Sequence, residues 1–265
     1  MRFLNNVTLK YLEHMDKVKS PIFPVKKVLF YCLDILKVFT GNILDILYPK
    51  RCLICGKYGQ LICYECFKKI KLVKTSLCPI CHRITKDFNV CPKCRKKRDN
   101  YLDSVVVSCH YDNKIVKDLI YKFKYEGFVD LAELFGELLA MQIPKKNLSD
   151  CDVCAVPLYN LRQRIRGFNQ AELIARVVSN RLNIPLVKRL ERTKNTASQA
   201  TLKREQRITN IQNAFRVISV DNTINSTVIL VDDVASTCST LNACAKILKT
   251  AGYRRVVGCV IARNI

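Results

Sequence analysis

The chain has 265 residues, enough for one or two domains with a sizeable core. Lys and Arg total 45 against 22 acidic residues, a formal net charge of +23, which favours a polyanionic partner, either nucleic acid or an anionic membrane surface; a generally lysine-rich composition is the bland alternative. There are 15 cysteines, but the opening MRFLNNVTLKYLEHMDKVKS has no long apolar run followed by a small-residue cleavage site, so a secreted disulfide framework is not expected and the chain reads as cytoplasmic, its thiols reduced or metal-bound.

Residues 1–50 read as a basic N-terminal extension and an amphipathic helix. Val28, Leu29, Cys32, Leu33, Leu36, Phe39, Ile43 and Leu47 recur at three- and four-residue steps. Asp34, Lys37 and Asp45 interrupt the apolar run, so a membrane-spanning helix is not expected. Docking on the next domain is the expected role, with membrane-surface contact as the alternative.

Residues 51–98 carry the strongest local chemistry. Four CxxC pairs, Cys52/Cys55, Cys63/Cys66, Cys78/Cys81 and Cys91/Cys94, fall within 43 residues. Each pair presents two thiolates on one tight turn, and two pairs make a tetrahedral four-sulfur site suited to Zn²⁺. Two structural zinc sites are therefore expected, paired either sequentially or in a cross-braced manner. A redox CxxC role is the rival, but no βαβ pattern encloses the pairs. Apolar residues are sparse here, so metal is expected to supply much of the folding energy. His82 falls outside the ligand spacing. Lys68, Lys69, Lys71, Lys74 and the run Arg95–Arg98 dress the region with positive charge, either to track phosphates or as a solvated face.

Residues 99–265 alternate strands with helices, the pattern of an α/β domain with a parallel sheet flanked by helices. Val105–Tyr111 predicts a strand, Asn113–Tyr125 a helix, and Leu131, Leu134, Phe135, Leu138 and Leu139 a second helix. Cys151–Leu158 predicts a strand; Cys151 and Cys154 then point to opposite faces and do not make a fifth metal pair. Leu161–Gln170 reads as a basic loop off that strand, with Arg164 and Arg166 the candidates for phosphate oxygens and Arg162 beside them. Asn169 is placed to cap a helix over Gln170–Leu182. Leu190–Phe215 is long, polar and basic, as in a lid or binding loop, with Ser198, Gln199, Arg207 and Asn210 as candidate contacts. Phe215–Val220 predicts a short strand.

The stretch Val228–Thr240, VILVDDVASTCST, is the organising feature. An apolar run, Val228–Val231, predicts a buried strand that ends at Asp232 and Asp233. The loop Ala235, Ser236, Thr237, Cys238, Ser239 and Thr240 then leads into a helix, Leu241–Ala251, ended by Gly252. Backbone N–H groups, hydroxyls and a helix N-terminus converge there, which suits a phosphate, while the two carboxylates can accept hydrogen bonds from ribose hydroxyls. Arg255–Ala262 predicts the closing strand.

At these residues the chain resembles the phosphoribosyl pyrophosphate (PRPP) loop of the type I phosphoribosyltransferases. Cys238 stands where that family has glycine. A Cβ and a sulfur there are expected to crowd the phosphate, which sets enzymatic activity in question. The resemblance widens over RGFNQAELIA at 166–175, SQATLKREQRITNIQNAF at 198–215 and VILVDDVASTCSTL at 228–241, behind four zinc knuckles. Together these resemble the ComF (ComFC) family of competence proteins.

That resemblance implies a double zinc ribbon followed by a type I phosphoribosyltransferase-like domain. It implies a role in handling incoming single-stranded DNA during natural transformation, beside an ATP-driven DNA translocase, with PRPP and Mg²⁺ as ligands of the loop. The alternative it leaves open is an active, amidophosphoribosyltransferase-like enzyme with an unknown acceptor; no His lies near the motifs to serve as a general base. Tyr101, Tyr111, Tyr121 and Tyr125 are candidates for stacking on bases, although core packing explains them equally.

Overall fold

A computed structural model describes residues 49–97, 99–145, 148–194, 214–218 and 226–263. The helix predicted within residues 1–50, Arg98, and Ser198, Gln199, Arg207 and Asn210 lie outside them. Cys52–Lys57 and Leu61–Ile265 form one compact unit. In the other unit, the short stretches 49–51 and 58–60 pair by themselves through an antiparallel bridge between Arg51 and Tyr58.

The elements are α1 (Tyr64–Phe67), α2 (Pro92–Arg95), β1 (Ser104–His110), α3 (Lys114–Tyr125), α4 (Leu131–Gln142), β2 (Cys151–Ala155), α5 (Asn160–Arg166), α6 (Gln170–Leu182), β3 (Leu190–Arg192), β4 (Phe215–Val217), β5 (Thr227–Ala235), α7 (Ser239–Thr250) and β6 (Arg255–Arg263). The main sheet runs β1-β6-β5-β2 and all its pairings are parallel. A separate antiparallel pair joins β3 to β4.

Both faces of the sheet are covered, which is why its strands are mostly apolar. Side chains alternate as the pleat requires. Val106, Ile229, Val231, Cys259 and Ile261 pack with α3, α4 and α6. Val105, Val107, Val228, Leu230, Val256 and Val260 pack on the other side with Leu241, Ala245 and Leu248 of α7. The sheet edges are covered too, which blocks edge-to-edge pairing. Leu72–Val73 lies along β1, with Val73 N–H donating to Ser108 O, and Pro185–Val187 lies along β2.

Helix boundaries follow local chemistry. The Asn113 side chain accepts from Val116 N–H at 3.2 Å and so caps α3, while its amide donates to Lys69 O at 2.8 Å. Asn169 caps α6 as its sequence position predicts, accepting from Ala171 N–H. Gly136 of α4 lies against α6 so closely that a Cβ there would sit 2.4 Å from Val177 Cβ.

Three expectations are corrected. Leu161–Gln170 is not a loop at its start: residues 160–166 form α5, which stops at Gly167 with φ 84°. Nothing before Gly167 breaks a helix there. The strand predicted over Cys151–Leu158 ends at Ala155, just before Pro157, which cannot donate to a ladder. Conversely β5 does not end before the carboxylates. It continues through Asp232 to Ala235, held by pairing of Asp232 with Val260 and of Ala235 with Arg263, so the connecting turn shrinks to Ser236–Cys238.

Gly136→Ala is expected to destabilise the fold by about 1–3 kcal/mol, the usual cost of overpacking a helix contact, despite alanine's higher helix propensity. Urea unfolding of the two proteins measures this; equal midpoints would mean that α4 and α6 separate without cost.

Candidate functional site

The carboxyl ends of β2 and β5 open onto a cavity of ≈ 430 Å³. This is where parallel α/β sheets commonly hold ligands, and the volume is that of a small-molecule site. Asp232 and Asp233 lie in its floor, and Lys124 from α3, Arg162 and Arg166 from α5, and Arg192 from β3 contribute to its walls. Four cations thus surround two carboxylates.

The floor is wired tightly. Lys124 Nζ lies 2.7 Å from Asp233 Oδ1, with both side chains mostly withdrawn from solvent. Asp233 N–H donates to Asp232 Oδ1 at 2.8 Å. Burial opposes the charge on Lys124, but the charge and hydrogen bond of Asp233 outweigh it and raise its pKa. Asp232 is pushed up to about 7, first by burial and then by the adjacent Asp233 carboxylate; the Asp233 N–H, Lys124 and Arg192 offset part of this. Arg192 is lowered by burial and by the nearby Arg162 guanidinium. The site therefore holds an excess of positive charge beside a carboxyl poised near neutrality. Such a layout suits a ligand with several negative charges at one end and hydroxyls at the other.

The structure brings six of the ten phosphate-loop candidates to this cavity: Asp232, Asp233, Ala235, Ser236, Thr240 and Arg166. The other four lie elsewhere. Arg164 is exposed and does not line the cavity. Because α5 is a helix, Arg162 and Arg166 share a face at i,i+4 while Arg164 projects away. Thr237 and Ser239 bind each other, Oγ to Oγ at 2.6 Å.

Cys238 takes up a left-handed conformation, φ 59° and ψ 14°, at the N-cap of α7. A glycine would adopt this without strain. Its side chain, however, is buried in the apolar cluster beneath α7 and does not line the cavity. The expectation that its sulfur crowds a phosphate thus meets a side chain that is not among the groups lining the cavity. Cys238 also provides no side-chain cap for the first-turn N–H groups of α7.

Lys124 and Arg192 were not among the candidates from sequence, and Arg162 was named only as part of the arginine-rich stretch. Arg192 was legible only through strand alternation: Leu190 and Arg192 share the buried face of β3.

Outside this cavity, the described residues contain two four-sulfur groups, Cys52/Cys55/Cys63/Cys66 and Cys78/Cys81/Cys91/Cys94. The pairing is sequential, not cross-braced. Ligand atoms within each group lie within 4.8 Å of one another, and Cys55–Cys63 and Cys81–Cys91 are 3.6 Å apart. Zn–S bonds of about 2.3 Å in a tetrahedron require S···S edges of about 3.8 Å, so the donor sets fit zinc. Burial works against the Cys52 thiolate, but the N–H groups of Cys63, Cys55 and Ile54 bring it down to about 6. Those of Cys91, Cys81 and Ile80 do the same for Cys78, to about 7. His82 is exposed beside its site. Cys151 and Cys154 are buried in β2.

The second knuckle is tied into the sheet. Arg263, at the end of β6, donates from Nη2 to Pro79 O at 2.6 Å, inside the Cys78–Cys81 turn. Tyr111, which lines the cavity, donates its N–H to Arg263 O at 3.0 Å. Among the described residues no helix is long and apolar enough to cross a membrane.

Comparison with known proteins agrees with this architecture. A family model described as double zinc ribbon domain matches residues 43–95, and one described as phosphoribosyl transferase domain matches residues 169–265. Competence protein F of Haemophilus influenzae is 30% identical over 215 residues, covering 73% of this chain and 93% of the relative. Competence protein ComFC of Bacillus subtilis is 26% identical over 210 residues, covering 76% and 83% respectively. DNA utilization protein YhgH of Escherichia coli is 28% identical over 232 residues, covering 82% and 98%.

Two outcomes are expected from these geometries. Titrating the thiols with a mercurial is expected to release two zinc ions per chain, and Cys66→Ser to lower the count to one, measured with a metallochromic dye. Asp232→Asn is expected to stabilise the fold at pH 8 by on the order of 3 kcal/mol. The folded pKa of Asp232 lies above its unfolded value, so its ionisation costs stability as pH rises between about 4 and 7. The advantage of the variant should therefore shrink as pH falls through that window. Parallel unfolding curves at pH 5 and pH 8 with no change in their difference would contradict the assignment.

Proposed function

This chain belongs to the competence protein F and ComFC family, and from that premise we propose that it handles incoming single-stranded DNA in natural transformation, with its cavity as a PRPP-binding site. The observation that carries the ligand part is the cavity floor: Asp232 and Asp233 at the end of β5, faced by Lys124, Arg162, Arg166 and Arg192. In this reading the carboxylates accept hydrogen bonds from the ribose hydroxyls. Ser236, Thr240 and the first turn of α7 receive the 5-phosphate. Arg162, Arg166 and Arg192 neutralise the pyrophosphate. The carboxylate oxygens are also a donor set that fits Mg²⁺, which would offset the charge of the pyrophosphate. The DNA part is supported by the names of the relatives and by the net charge of +23. An ATP-driven DNA translocase is the proposed protein partner and the cytoplasm the proposed compartment.

A second reading is favoured by the carboxyl held near 7 beside a cationic wall. In it the protein is an active phosphoribosyltransferase: an N–H acceptor attacks the anomeric carbon of PRPP, the C–O bond to pyrophosphate breaks, the acceptor's proton leaves with the pyrophosphate, and the arginines stabilise the departing charge. Positioning supplies most of the acceleration.

Calorimetric titration of the zinc-loaded protein with Mg²⁺–PRPP tests the site. Binding is expected in the wild type and lost in Asp232→Asn/Asp233→Asn, while Cys238→Gly should leave the affinity within about twofold, roughly 0.4 kcal/mol on the scale where tenfold is 1.4 kcal/mol. Absence of heat in the wild type would remove PRPP as the ligand. Pyrophosphate release on adding nucleobases or amines would raise the enzymatic reading above the binding one.

A further inference from the structure

Helix α3 divides its faces unusually. Val116, Leu119, Ile120 and Phe123 are turned into the core. On the other side Tyr121 and Tyr125, one helical turn apart, are 57% and 64% exposed. Their rings touch, with centroids 5.1 Å apart and planes at 46°. Core packing, which explains a buried tyrosine, does not explain this pair.

The pair adjoins the cavity. Tyr125 lines it, and the Arg166 guanidinium lies 5.3 Å from the Tyr125 ring centroid. Cations interleave with rings along the same stretch: Lys117 is 5.5 Å from the Tyr111 ring and Lys122 is 5.7 Å from the Phe128 ring. Glu126, an acid on this helix end, is tied to Lys122 at 2.9 Å.

We propose that Tyr121 and Tyr125, with Arg166 set against the Tyr125 ring, form a base-stacking platform that leads single-stranded DNA past the rim of the cavity. This rests on the single-stranded DNA reading above and adds the path of the strand. Exposed rings offer π-faces to unpaired bases, whereas bases in a duplex are already stacked on each other. The interleaved Lys and Arg side chains can meet backbone phosphates and the rings can stack on any base, so binding is expected to tolerate any sequence. Charge complementarity selects a nucleic acid over an apolar protein surface. Tyr64, exposed and with Lys68 4.1 Å from its ring, is the rival position, but it offers a single ring.

The test uses the full, zinc-loaded chain and fluorescence anisotropy with labelled oligothymidylate and an abasic strand of equal length. Tyr121→Ala/Tyr125→Ala is expected to weaken oligothymidylate binding tenfold or more. Its affinity for the abasic strand and its salt slope should not change, because the phosphate contacts remain. Tyr121→Phe/Tyr125→Phe, which keeps both rings, should bind within threefold of wild type. Unchanged oligothymidylate binding by the alanine variant would overturn the platform while leaving the DNA reading intact, and would send the strand to Tyr64 or assign the rings to a protein partner. Equal losses on both strands would overturn it as well, since stacking acts only where bases are present. A wild-type protein that binds neither strand would remove the DNA reading itself.

Discussion

Two adjacent carboxylates at the end of a buried strand are the constraint from which the rest of the site follows. Asp232 and Asp233 cannot both ionise cheaply without water. Lys124 answers one of them directly at 2.7 Å. The other is left with a backbone N–H and more distant guanidinium groups, so its proton stays near neutral pH. The elements that carry those cations, α3, α5 and β3, come from well-separated parts of the chain. The connection from β2 into α5 leaves the parallel sheet at its carboxyl end, where such sheets commonly hold ligands, while Lys124 in the last turn of α3 and Arg192 on the separate β3–β4 pair reach the same cavity from outside the sheet. The fold thus concentrates charge at this cavity, while buried charge elsewhere is held in hydrogen bonds, as Asp152 is by Tyr253 at 2.6 Å.

The zinc-knuckle region solves a different problem with the same economy of means. It has few buried apolar side chains apart from the cysteines themselves. Eight thiols in two compact groups replace the core that such a short segment cannot build. The region is not a detached bead. Leu72–Val73 lies along β1, Asn113 reaches Lys69 O, and Arg263 reaches Pro79 O. The last contact links a metal turn to the end of β6, whose backbone in turn receives Tyr111 N–H at the cavity edge. The four-sulfur region is thus joined to the cavity edge by a short run of hydrogen bonds, and Ile54, Phe67 and Ile70 pack it onto the main core as well.

Much of this was legible in the sequence where a residue type has one dominant physical use. Four CxxC pairs announced two four-sulfur groups, and the run from Val228 into Asp232 and Asp233 announced a strand that brings two carboxylates to the cavity. Asn113 and Asn169 marked helix starts. The pairing of the knuckles was not legible, because spacing alone allows both arrangements. Arg162, Arg164 and Arg166 could not be told apart while α5 was read as a loop, where alternate residues are equivalent candidates, whereas a helix separates 162 and 166 from 164. Lys124 and Arg192 were missed because a single cation beside a core position carries no pattern of its own. Only the tertiary fold reveals that each faces the same pair of acids.

Cys238 illustrates how a left-handed turn position can be filled by a residue other than glycine when its side chain has somewhere to be buried. The backbone there is left-handed, which is the conformation that favours glycine and costs another residue about 1 kcal/mol. From sequence, the added Cβ looked like an obstacle to the ligand. In the fold, the side chain points away from the cavity into the cluster formed by Leu241, Ala245 and their neighbours. Burying a small thiol among apolar groups offsets the strain locally. The turn thus keeps its shape without glycine, and the ligand side of the turn is presented by Ser236 and Thr240. Whether a substitution in such a turn harms binding depends on which way its Cβ points, and that direction is set by the strand and helix on either side of it.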